Sequence, residues 1–129
     1  YFCHTSDYLI KLFDCEKQEV IRQFRREYSP VKFTSVEKHP DDWPKYQNDV
    51  QRLVVHKDNL WALTSTRDKK GILVDVFNQE GKYLDNFYVP LMTTWNLAYL
   101  PIAAHGDILY VMHSDEQENI VLFKYQILD

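Results

Sequence analysis

Val55-His56-Lys57-Asp58-Asn59-Leu60-Trp61-Ala62-Leu63 is echoed 49 residues later by Ala104-His105-Gly106-Asp107-Ile108-Leu109-Tyr110-Val111-Met112. Ile72-Leu73-Val74-Asp75-Val76-Phe77 is echoed 48 residues later by Ile120-Val121-Leu122-Phe123-Lys124-Tyr125. The second half of the pattern occurs a third time near the start, as Leu9-Ile10-Lys11-Leu12-Phe13-Asp14. Each run has the length of a strand and is bounded by turn residues, so the recurrence describes repeated four-stranded antiparallel sheets. It speaks to architecture and hardly at all to a specific activity.

Strands and turns follow from this frame. Residues 1–5, 8–14 and 19–28 read as three strands, with Cys15-Glu16-Lys17-Gln18 as a polar hairpin. Residues 50–56, 60–66, 72–78 and 83–89 read as a complete four-stranded unit. Its turns are Lys57-Asp58-Asn59, the loop 67–71, and Gln79-Glu80-Gly81-Lys82, where Gly81 supplies the positive φ. Residues 97–104, 108–113 and 120–128 form a last unit, one strand short, with His105-Gly106-Asp107 as a turn. Residues 29–49, with Pro30, Pro40, Pro44 and Asp41-Asp42, read as a long loop, and such loops are usually functional or mobile.

The strand interiors are nearly continuous apolar runs rather than alternating ones, which means burial on both faces. Hairpin-short connections require antiparallel pairing. A sheet that is antiparallel and sandwiched between two others is a blade of a β-propeller. The runs 19–24 and 83–88 carry more charge, as outer strands should. A small two-sheet sandwich is the alternative fold, and it leaves the spacing as coincidence. Three, four and three strands make about two and a half blades, fewer than the four a closed ring needs.

Composition narrows the rest. The 129 residues suffice for one domain with a sizeable core. Aromatics at 15% and only three glycines favour packed strands over disorder. A net charge of −4 leaves no footprint for nucleic acid, and the chain has no apolar run long enough for a membrane span. The chain opens on Tyr1 without Met or a charged leader, which reads as a mature product or a fragment. Cys3 and Cys15 form a disulfide in one reading and two ordinary thiols in the preferred one; without Cys-x-x-Cys they indicate neither zinc nor redox chemistry.

The stretches 8–14, 19–28, 60–65 and 74–87 resemble the six-bladed β-propellers of the NHL-repeat and TolB-like kind, in particular uncharacterised bacterial members. The hairpin around Asp75, Phe77, Gly81 and Phe87 carries the resemblance, which covers most of the chain outside 29–49. The resemblance implies the C-terminal portion of a larger propeller, and a scaffold that binds ligands or proteins at its channel or top face. It implies no catalytic residue and no cofactor, and it leans toward a periplasmic or otherwise exported setting. If the chain exists alone, its first and last sheets expose apolar faces, from which we expect self-association or a companion chain.

Candidate site residues divide into three groups. His56 and His105 occupy matching turns, each two residues before an aspartate, Asp58 and Asp107. A shared site fits that geometry, while the plainer reading is that His and Asp suit a β-turn. Arg22, Arg25 and Arg26, with Lys32, form a basic cluster that could dock a phosphate or an acidic partner, or pair with carboxylates such as Glu19 and Glu27 along a rim strand. Trp43 and Tyr46 in the long loop, and Trp95 in a shorter one, are aromatics that either contact a ligand or pin the loop. The expected function is a non-enzymatic ligand- or protein-binding module. The alternatives are a propeller hydrolase or lactonase with a metal held by carboxylates such as Asp58, Asp75 and Asp107, and an assembly subunit.

Overall fold

A computed structural model describes residues 1–4, 7–33, 45–91, 101–115 and 117–128. Every regular element among them is a β-strand, and all strand pairs are antiparallel. The first sheet contains β1 (Phe2–His4), β2 (Leu9–Asp14) and β3 (Glu19–Arg25) in that order. The second contains β4 (Val50–His56), β5 (Asn59–Asp68), β6 (Gly71–Asn78) and β7 (Tyr83–Val89). The third contains β8 (Ile102–His105), β9 (Ile108–Ser114) and β10 (Ile120–Gln126).

Several strand ends differ from the sequence reading. β3 stops at Arg25 rather than Tyr28, because the following residues turn across the sheet boundary. Arg26 reaches Asp75, and the Tyr28 hydroxyl lies 2.7 Å from Thr66 Oγ1. β5 runs on to Asp68 past an irregularity in its register, and Asp68 pairs with Gly71. The expected five-residue loop thereby becomes a two-residue turn, in which Asp68 Oδ1 accepts the Lys70 N–H at 2.6 Å. His105 closes β8 opposite Ile108 instead of lying in the turn, and residues 97–100 of the expected strand fall outside the described residues.

Side-chain alternation places two cores on opposite faces of the second sheet. Leu60, Ala62 and Phe77 pack toward the first sheet with Tyr8, Ile10 and Val50. Trp61, Leu63, Ile72, Val74 and Val76 pack toward the third sheet with Leu109 and Val111. The double burial that the apolar runs indicate is thus supplied by a sheet on each side. Burying one such large aliphatic side chain contributes roughly 2 kcal/mol, so these two layers dominate stability.

The hairpins β2–β3 and β6–β7 share their local design. Asp14 Oδ1 accepts the N–H groups of Glu16 and Lys17, and Asn78 Oδ1 accepts those of Glu80 and Lys82. The register shifts between Leu12 and Phe13 in one and between Val76 and Phe77 in the other. The turns themselves differ by one residue, with positive φ at Gln18 (55°), the fourth after Asp14, and at Gly81 (80°), the third after Asn78. Equal positions nevertheless meet different surroundings: Phe77 is 2% exposed against the first sheet, whereas Phe13 is 40% exposed. On the other side, Ile72 is fully buried against the third sheet, and its counterpart Ile120 is 78% exposed. The three sheets therefore form an open stack whose two outer faces carry exposed apolar side chains, among them Val20, Ile21 and Leu122.

Candidate functional site

At the boundary of the first and second sheets lies a cleft of about 510 Å³. Its walls come from the turn before β2 (Asp7, Tyr8), the segment after β3 (Arg26, Tyr28) and the residue before β4 (Asp49). Beneath it, the Tyr8 hydroxyl donates to Asp75 Oδ2 at 2.7 Å, and Arg26 Nη1 forms an ion pair with Asp75 Oδ1. Asp75 lies on the same face of β6 as Phe77 and is completely buried, so both its oxygens need such partners. Burial, and then the bond to Asp75, pushes the Tyr8 hydroxyl far above its ordinary range. Burial alone would lower the Arg26 guanidinium, but the bond and charge of Asp75 outweigh it and raise it. Tyr83 adds its ring face, with the Arg26 guanidinium 5.1 Å from the ring centre.

Asp49 is the second buried carboxyl of this region, at 6% exposure. Burial raises its pKa, the negative charge of Asp7 raises it further, and a bond from the Tyr8 backbone N–H partly offsets both. Behind it runs a polar network. Gln51 Nε2 donates to Asn48 O at 3.0 Å and to Ser65 Oγ at 2.5 Å, and Ser65 Oγ donates to Asn48 O. The carbonyl of Asp49 accepts the Ser65 N–H at 3.3 Å. This network fixes the backbone that carries Asp49.

At the second boundary the two matching turns meet. His56, in β4, is buried; its Nε2 lies 2.8 Å from the Gly106 carbonyl oxygen and its ring 4.5 Å from that of Trp61. Lys57 Nζ lies 3.1 Å from Asp107 Oδ1 at the surface. Lys57 and Gly106 both adopt positive φ, 52° and 56°, so the turns match in backbone as well as in sequence. His105 is exposed, and Asp58 Oδ1 accepts a bond from Gln79 Nε2 at 3.1 Å. His56 and Asp107 thus join the second and third sheets.

The basic cluster disperses. Arg22 Nη1 donates to Gln79 O at 2.8 Å, Arg25 lines the cleft, and Arg26 turns inward to Asp75. Tyr46 pairs by an isolated bridge with Lys32, whose ammonium lies 6.0 Å from the Tyr46 ring centre. Trp43 and Trp95 lie outside the described residues. Cys15 is a free, exposed thiol. Among the described residues no group of three His, Cys, Asp or Glu side chains is placed to hold a metal ion, and no helix is long and apolar enough to cross a membrane.

Sequence reading missed the cleft residues Tyr8, Tyr28 and Asp49. One signal was present for Asp75: an aspartate between Val74 and Val76 in an otherwise apolar run sits where only a paired charge is tolerated. Comparison with protein-family models, curated proteins and solved structures finds no match to the chain.

Proposed function

We propose that the chain is part of a six-bladed β-propeller of the NHL-repeat or TolB-like type, acting as a non-enzymatic binding module. Its ligand site is the cleft between the first and second sheets. The stacking supports the scaffold reading. Each sheet lies face to face with the next, and corresponding positions in successive sheets point the same way along the stack.

The observation that carries the binding reading is the buried Asp49 carboxyl at the cleft, with Asp7 beside it raising its pKa. Arg26 is already engaged by Asp75, so it leaves the buried Asp49 to face the nearby Asp7 charge in the cleft walls. A ligand bearing a compact cation, such as a primary amine or a guanidinium on a small molecule or protein side chain, would relieve that repulsion. Tyr28 would supply an aromatic wall.

The test is thermal unfolding and calorimetry with guanidinium-bearing and amine-bearing probes, for example agmatine. Saturable stabilisation that disappears in Asp49→Asn is the expected result. No stabilisation, or equal stabilisation of the variant, would remove the cleft from consideration. Lactone or ester turnover with a bound divalent metal would replace this reading by the hydrolase one.

A further inference from the structure

We propose that the cleft between the first and second sheets selects a guanidinium over an ammonium ion, with Tyr28 as the residue that sets the choice. The inference rests on the cleft being the ligand site, and it narrows the ligand to one class of cation. The chain already holds a guanidinium in such a setting just beneath the cleft. Arg26 Nη1 bonds Asp75 Oδ1 at the edge of the guanidinium plane, and the ring centre of Tyr83 lies 5.1 Å from its Cζ. The other oxygen of Asp75 accepts the Tyr8 hydroxyl at 2.7 Å. A buried carboxylate, a donor from Tyr8 and an aromatic ring thus surround one guanidinium.

The cleft offers the same three parts. Asp49 is its buried carboxyl and takes a bond from the Tyr8 backbone N–H, while Asp7 adds a second negative charge. Tyr28 is the aromatic part. Its hydroxyl lies 2.7 Å from Thr66 Oγ1 in β5, so the side chain crosses the sheet boundary at which the cleft opens. Thr66 is held in turn: its N–H donates to Thr64 Oγ1 at 3.1 Å, and that hydroxyl donates to Leu73 O at 3.0 Å. The Tyr28 ring also leans on Tyr8, 5.4 Å between centres at 53°. A ring held at two places loses little freedom when a ligand packs on it. Guanidinium and ammonium use these parts differently. The N–H groups of a guanidinium lie in one plane, so it bonds a carboxylate edgewise while its weakly hydrated face stacks on a ring. An ammonium is compact and strongly hydrated, so contact with a ring displaces water that it holds tightly. A carboxyl alone attracts both ions, and the aromatic wall separates them.

The experiment uses the 129-residue chain and two probes of equal charge and stem, n-butylguanidinium and n-butylammonium, with affinities measured by calorimetry near neutral pH. Expected is saturable binding of both, the guanidinium about tenfold tighter. Tyr28→Leu should cut that ratio to about twofold or less, whereas Tyr28→Phe, which keeps the ring, should keep it. Asp49→Asn should weaken both probes together. If the leucine variant does not fold, the Tyr28 ring protons serve in its stead: the guanidinium probe should shift their NMR signals more than the ammonium probe does. A blocked glycine pentapeptide with one central arginine identifies the source of the ion. Binding as tight as that of n-butylguanidinium assigns it to a polypeptide side chain, and weaker binding assigns it to a free small molecule. Equal affinity for the two probes, tighter binding of the ammonium, or a ratio unmoved by Tyr28→Leu overturns the proposal and leaves the cleft a general cation site. Binding of neither probe, or binding unchanged in Asp49→Asn, removes the cleft itself.

Discussion

His56 Nε2 and the carbonyl oxygen of Gly106 lie 2.8 Å apart, although 50 residues separate them in the chain. The two groups belong to equivalent turns of successive units, so the bond holds one repeat to the next. Because His56 is buried on Trp61, the contact is partly shielded from water and ties the second sheet to the third.

Substituting His56 by Ala should therefore destabilise the chain by about 2–3 kcal/mol, from the lost bond and the lost ring packing together. Lys57→Ala, which removes the exposed pair to Asp107 a few ångströms away, should cost less than about 1 kcal/mol. Urea unfolding of both variants checks the contrast.

Arg26 and Asp75 form the corresponding lock at the first boundary. Arg26→Ala should cost about 3 kcal/mol, because it leaves a buried carboxylate with Tyr8 alone. Tyr8→Phe should cost about 1–2 kcal/mol, and the double variant should depart from additivity, since both partners share one carboxylate. Arg22→Ala, at the surface of the same segment, should change stability by no more than about 1 kcal/mol.

The pH dependence has a definite sign for two carboxyls. The pKa of Asp49 is raised, by burial first and by Asp7 second. Between the ordinary value of 3.8 and the raised one the folded chain holds a proton that the unfolded chain has released, so the contribution of Asp49 falls as pH rises through that window. Asp49→Asn should remove this fall and gain stability relative to the native chain as pH increases above about 4. Asp115 behaves oppositely: bonds from Asn119 and Gln117 lower its pKa, so its contribution is present above 3.8 and lost on acidification. Denaturation midpoints of Asp49→Asn and Asp115→Asn across acid pH separate the two.

Of the three glycines, Gly71 is the one least able to accept a side chain. It has φ of 122°, and an added Cβ would lie 2.7 Å from the Val89 carbonyl carbon and 2.8 Å from Pro90 Cα. Gly71→Ala should cost about 3 kcal/mol or more, read as a fall in melting temperature.

Strand placement was legible because apolar runs and turn residues are local signals, and the recurrence at 48–49 residues added a long-range check. The endings of β3 and β5 were not legible. Arg26 and Tyr28 continue the strand pattern of residues 19–25, and only a neighbouring sheet gives them Asp75 and Thr66 to turn toward. The matching of His56 and His105 was visible, but the sequence treats them alike, and the fold buries one and exposes the other. The cleft escaped for a related reason: Asp7, Tyr28 and Asp49 come from three separated segments, and nothing in their spacing signals that they meet.

Phe13 and Phe77 occupy one position in two copies of the same hairpin, one with a sheet laid over it and one without. The chain therefore contains its own reference state for stacking. The difference between the costs of Phe13→Ala and Phe77→Ala reads what a neighbouring sheet contributes at that site, with the adjoining bulge matched.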